Sequence, residues 1–154
     1  MAIEIERKFL VKQPPLHLAT YSLNIKQGYI VKNKNKVIRV RKQDLDYFLT
    51  IKGSNAGISR LEFEFPIPKD DAEELLLHFC QTDIINKTRY YIKHENHTWE
   101  VDEFHGKNQG LIIAELELQS EDEKFNLPDW IGDEISNDNK YFNMNLSKHP
   151  FKDW

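Results

Sequence analysis

The segment Glu4-Ile5-Glu6-Arg7-Lys8 alternates with the two-residue period of a β-strand. Glu4, Glu6 and Lys8 therefore share one face, and Ile3, Ile5, Arg7, Phe9 and Val11 share the other. Later segments repeat the pattern. Phased by their apolar residues, Ile38 and Val40 leave Arg39 and Arg41 together, Leu49 and Ile51 leave Thr50 and Lys52, and Leu61, Phe63 and Phe65 leave Glu62 and Glu64. Farther along, alternation groups Lys87, Arg89 and Tyr91, then Glu100 with Asp102 against Trp99 and Val101, then Glu115 with Glu117 against Ala114, Leu116 and Leu118. Like charges at i and i+2 stand roughly 7 Å apart on a strand rising about 3.3–3.4 Å per residue, and on an open surface they repel mildly. One such face is the ordinary solvent side of a half-buried sheet. Its recurrence strand after strand calls for something that offsets the repulsion.

The rest of the chain supplies the frame. Strands are expected at 22–31, 37–41, 47–52, 59–66, 84–93, 97–104 and 111–119, joined by hairpin-length polar or glycine-containing connections. Gln13-Pro14-Pro15 ends the first strand, and Pro66 and Pro68 close the fifth. Residues 69–82 read as a helix that Asp70 or Asp71 caps, with an apolar stripe of Leu75, Leu76, Phe79 and Cys80. Residues 137–147 read as a second helix packing Tyr141, Phe142, Met144 and Leu146 inward. The fold class is thus α+β, mainly β. Roughly eight antiparallel strands close into a barrel with a charged interior, an apolar exterior and helices packed outside. No repeat or linker divides residues 1–154, so a single domain is expected.

Charge balance narrows the function classes. A formal net charge of -4 disfavours general nucleic-acid binding, which needs a net basic surface. No apolar run reaches the length of a membrane span, and Glu4 and Glu6 stand where a signal peptide needs an apolar core. The single cysteine, Cys80, sits in Leu-Leu-Leu-His-Phe-Cys and reads as a buried structural thiol. A cytoplasmic protein, monomeric or homodimeric, is expected. His94, His97, His105 and His149 show no ligand spacing, and Trp99, Trp130 and Trp154 read as packing residues. Only its place at the end of the sequence suggests that Trp154 covers a tunnel mouth.

The chemistry that suits these faces is phosphoryl chemistry. Lys8, Arg39, Arg41, Lys52, Lys87 and Arg89 would hold a polyanion. Glu4, Glu6, Glu115 and Glu117 would hold divalent cations, with Glu62, Glu64, Glu100 and Asp102 as further carboxylates, since Mg²⁺ and Mn²⁺ favour carboxylate oxygens and bridge to phosphates.

These motifs resemble a known family. Glu4-Ile5-Glu6-Arg7-Lys8 matches the Glu-x-Glu-x-Lys signature of the triphosphate tunnel metalloenzymes, or CYTH superfamily. The likeness continues in order through Arg39-Val40-Arg41, Leu49-Thr50-Ile51-Lys52-Gly53, Glu62-Phe63-Glu64, Lys87-Thr88-Arg89, Glu100-Val101-Asp102-Glu103-Phe104 and Ala114-Glu115-Leu116-Glu117. The resemblance implies an eight-stranded tunnel binding a triphosphate along its axis, with the basic set on phosphate and Glu4, Glu6, Glu115 and Glu117 on Mg²⁺ or Mn²⁺. It also implies a catalytic group of Lys8, Glu4, Glu6 and Arg89, with Lys8 or Arg89 stabilising the leaving phosphate. Tyr29, in Gln27-Gly28-Tyr29, joins that catalytic group as the match of a tunnel tyrosine near the family's catalytic lysine; alternation alone does not place it. Lys140 stands where relatives often carry arginine.

The chain looks most like short bacterial members that hydrolyse inorganic tripolyphosphate with variable nucleotide activity. A class IV adenylate cyclase, a thiamine triphosphatase and a non-catalytic polyphosphate-binding module are the alternatives. A cyclase needs base- and ribose-binding residues at the tunnel mouth, and none is identifiable. A binding module could dispense with the carboxylates, yet both Glu-x-Glu pairs are present.

Overall fold

A computed structural model describes residues 2–80 and 84–154. Nine strands form one sheet: β1 (Ile3–Val11), β2 (Tyr21–Lys32), β3 (Lys36–Gln43), β4 (Asp46–Gly53), β5 (Ser59–Pro66), β6 (Ile85–His94), β7 (His97–Phe104), β8 (Ile112–Glu117) and β9 (Ile131–Glu134). Their order is β5-β4-β3-β2-β6-β7-β8-β1-β9, and all pairings are antiparallel. A further pairing of β5 with β1, which sets Ile3 opposite Leu61 and Glu4 opposite Arg60, closes the first eight strands into a barrel. The free stretch of the same β1 edge is taken by β9, so the barrel leaves little of that edge unpaired. The sequence did not predict β9, a four-residue strand. Gly132 lets it approach, because a Cβ there would stand 3.0 Å from the Leu10 carbonyl oxygen.

Helix α1 (Lys69–His78) packs Ala72 and half-buried Leu75 and Leu76 over Val40, Tyr47 and Leu49. Its N-cap is Pro68, and no side chain caps it; Asp70 and Asp71 instead lie in the first turn, where they complement the helix dipole. The helix ends at His78, and residues 81–82 of the expected helix lie outside the described residues. Phe79 is exposed and Cys80 half-buried, so the apolar stripe stops at Leu76. Gly28 is required beneath this segment, because a Cβ there would meet Cys80 Sγ and Ile84 Cδ1 at 2.8 Å.

Two features depart from a barrel sheathed in helices. First, a 3₁₀ turn (Leu16–Leu18) and loop residues, not an α-helix, lie over β1 and β6–β8: Leu16, Phe125 and Trp130 pack on a core of Phe9, Trp99, Val101, Ala114 and Leu116. Second, no described residue covers the outward residues of β5. Leu61, Phe63 and Phe65 are 48%, 46% and 50% exposed, beside exposed Ile3 and Ile51. The expected C-terminal helix is a 3₁₀ turn (Asn139–Tyr141) followed by the short α2 (Asn143–Leu146). This tail does not sit on the outer sheet. Leu146 and Ile135 join Tyr29, Val37, Phe104 and Ile113 in an apolar cluster, with Met144 and Tyr141 against it.

Candidate active site

The inward faces enclose a cavity of about 240 Å³. That is smaller than the roughly 300–1,000 Å³ of drug-sized ligand pockets, and it suits a compact ligand. Its wall takes Glu4, Glu6 and Lys8 from β1, Tyr29 from β2, Arg39 and Arg41 from β3, and Lys52 from β4. Glu62, Glu64, Arg89, Glu100, Glu115 and Glu117 complete the predicted set on the wall. Lys87 and Asp102 do not reach it. Both are fully buried beside Arg89, whose Nε and Nη2 donate to Asp102 at 2.7 and 2.8 Å. Lys87 Nζ donates to Asp102 at 2.7 Å and to Asn143 Oδ1 at 3.4 Å. Arg7, on the opposite face, lies outside, paired with Glu134 and stacked over Phe125.

Six wall residues escaped the sequence reading, Val37 and Gln43 of β3 among them. Arg60 shares the phase of Glu62 and Glu64 and faces Glu4 across the barrel closure at 3.5 Å. The tail brings Phe142, Asn143 and Met144 to the cavity. Trp154 does not cover it. That ring packs on Tyr141 and Phe151, and Lys140 Nζ sits 4.5 Å above it, which takes Lys140 away from the site as well.

Buried charges on this scale are stable only when paired. Lys52 contacts Glu4 and Glu62 at 3.0 Å, Arg39 contacts Glu64 at 3.7 Å, and Lys8 lies 3.8 and 3.9 Å from Glu6 and Glu115. Arg89 also pairs with Glu100 and, at 3.4 Å, with Glu115. Arg41 differs. Among the described residues it has no ion pair; its Nε donates to the amide oxygen of Gln27 at 3.0 Å. Burial, then the Arg39 and Arg89 charges, lower its pKa to about 10. Arg39 Nε is buried without a hydrogen-bond partner. The cavity thus offers an anion the Arg41 charge, which no carboxylate among the described residues pairs.

In two carboxyl pairs, Glu6 with Glu115 and Glu4 with Glu62, the pKa values are pushed apart. Burial pushes Glu6 well above the usual carboxylate range, and Glu115 and Glu4 add to the rise. Burial acts the same way on Glu115, but Lys8, Arg89 and a hydrogen bond with Glu6 hold it well below that range. Glu4 and Glu62 repeat this: against burial, Lys52 and a hydrogen bond with Glu62 bring Glu4 down to about 2, while burial and Glu4 raise Glu62. A carboxyl pair of this kind has oxygens for a hard divalent cation in place of a proton. Among the described residues no three carboxylate, imidazole or thiol groups converge on one point. The arrangement therefore fits an ion that takes one or two carboxylates and completes its shell with water and phosphate oxygens, as Mg²⁺ does, and does not fit an all-protein cage.

The CYTH domain matches residues 2–146. An inorganic triphosphatase of Acetivibrio thermocellus is 46% identical over 154 residues, spanning 100% of this chain and 99% of its own length. An inorganic triphosphatase of Nitrosomonas europaea is 36% identical over 151 residues, or 94% of this chain and 96% of that protein. A crystal structure of an inorganic triphosphatase superposes with a TM-score of 0.69 at 32% identity, covering 96% of this chain and 95% of the other. The closed barrel, its charged cavity and these relatives agree, and the chain belongs to the CYTH family of triphosphate tunnel metalloenzymes.

Proposed function

We propose that this chain hydrolyses inorganic tripolyphosphate with a divalent metal, Mg²⁺ or Mn²⁺. The observation that carries the reading is a cavity of about 240 Å³ inside the barrel whose wall joins Arg41, a cation with no ion pair among the described residues, to two carboxyl pairs whose pKa values are pushed apart. It has the two halves that a metal–triphosphate complex needs. Relatives 46% and 36% identical over nearly the whole chain, both inorganic triphosphatases, support it.

In this reading Arg39, Arg41, Lys52 and Arg89 bind the phosphoryl oxygens, and Arg60 joins them. Lys87 acts indirectly, through Asp102, by fixing the Arg89 fork. Glu4, Glu6, Glu115 and Glu117 would supply the one or two carboxylates that a divalent cation takes here, with Glu62, Glu64 and Glu100 beside them. A divalent cation there supplies charge neutralisation at the phosphate oxygens and activates water. Lys8, between Glu6 and Glu115, stabilises the departing phosphate with Arg89. The Tyr29 hydroxyl, kept neutral by burial, donates to a phosphate oxygen. The substrate is a small-molecule triphosphate, and neither nucleic acid nor a membrane takes part. No described helix is long and apolar enough to cross a membrane.

Glu6→Gln tests the metal half. Phosphate release from tripolyphosphate should fall by about 100-fold or more, the scale of losing one preorganised electrostatic group, with circular dichroism unchanged. Undiminished release would sink the assignment.

A further inference from the structure

We propose that Gln27 is a positioning residue that aims Arg41 and Tyr29 at the triphosphate through a fixed relay of hydrogen bonds; the inference rests on the triphosphate reading of the cavity. Gln27 is 0% exposed and is not part of the cavity wall, so it cannot touch a ligand itself. Register sets it directly opposite Arg41, and sets Tyr29 opposite Arg39.

The polarity of the relay follows from what each group can donate. A guanidinium has donors only, so Arg41 Nε, 3.0 Å away, fixes the amide oxygen of Gln27 toward itself. The amide nitrogen must then point the other way, and it donates to Tyr29 Oη at 2.9 Å. Tyr29 Oη is thereby committed as an acceptor from protein. Its own proton has no acceptor among the described residues, and the ring lies on the cavity wall. A bound phosphate oxygen would satisfy it. A chain of this kind polarises each successive donor, so the Arg41 charge strengthens the Tyr29 hydroxyl as a donor.

The identity of the orienting group matters as much as its position. Arg39, Lys52 and Arg89 are oriented by carboxylates, which also cancel their charge. A neutral amide orients Arg41 and leaves its charge whole. Gln27 is therefore the residue that keeps one tunnel cation uncompensated for the substrate.

The test is calorimetric titration of tripolyphosphate in the presence of chelator, which reads binding without metal or turnover. Gln27→Glu keeps the shape and the bond to Arg41 but cancels the charge. Binding should weaken by about 10- to 100-fold, the span of one charge-assisted hydrogen bond, with thermal stability at or above that of the wild type. Gln27→Met keeps the volume and removes the relay. It should weaken binding by about 10-fold on the same scale and, unlike Gln27→Glu, lower the unfolding temperature. It decides the matter if Gln27→Glu fails to fold. Binding within about threefold of wild type in a folded variant, less than the tenfold that 1.4 kcal/mol represents, would overturn the relay and leave Gln27 as core packing. A wild-type chain that binds no tripolyphosphate either under chelator or with Mg²⁺ would instead remove the substrate reading, and the relay with it.

Discussion

Asp102 is the deepest charge in the barrel, 0% exposed, and it holds Lys87 at 2.7 Å and both Nε and Nη2 of Arg89. Asp102→Asn keeps the shape and removes the charge, leaving two buried cations short of an anion. Breaking a buried ion pair from one side costs about 3–5 kcal/mol. At about 2–4 °C per kcal/mol for a domain of this size, the melting temperature should fall by roughly 6–20 °C. The loss should also depend on pH in a definite direction. Burial lowers Lys87 to about 8, and Asp102 is the main influence opposing that fall. Without Asp102 it falls further. A lysine whose folded pKa lies below its unfolded value of about 10.4 binds fewer protons when folded, so stability rises with pH across that window. The added window in the variant lies below about 8, and the deficit should narrow as pH approaches it. Calorimetric unfolding at several pH values reads both quantities. A shift under about 2 °C, below what 1 kcal/mol produces, or a deficit that widens between neutrality and pH 8, would refute the reasoning.

Two further substitutions probe the frame around the site. Gly28→Ala drives a methyl into Cys80 Sγ and Ile84 Cδ1 at 2.8 Å; overpacking of this kind should lower stability by about 1–3 kcal/mol, measured by denaturant unfolding. Arg7→Ala breaks an outer, part-exposed pair with Glu134 and should cost about 1 kcal/mol or less, with kcat/KM for tripolyphosphate unchanged. A large kinetic effect there would mean that the two faces of β1 have been assigned the wrong way round.

Much of the barrel was legible because charge repeats at i and i+2 mark an inward face as plainly as apolar repeats mark an outward one. That signal phased β1 and β3–β8 and placed Arg7 outside. It was silent on β2, whose inward Gln27 and Tyr29 carry no charge, so the strand that holds the relay had no marker. Arg60 was legible in principle, since it shares the phase of Glu62, but attention to like-signed pairs passed over a cation preceding two glutamates. β9 is too short, at four residues, for periodicity to register. Tail residues were read as inward correctly, yet nothing local says whether "inward" means the outer sheet or the cavity; Phe142 and Met144 reach the cavity by tertiary packing. The same limit hid the exposed outer face of β5, because alternation specifies which residues avoid the lumen and not what covers them.

Phosphate release from tripolyphosphate by the purified chain, with Mg²⁺ or Mn²⁺ and then with excess chelator, tests the central claim most directly. Rapid release with metal and its loss under chelation are expected, with slower release from ATP and no cyclic AMP formed. Release that persists under chelation, or none from tripolyphosphate, ATP or thiamine triphosphate with either metal, would contradict it.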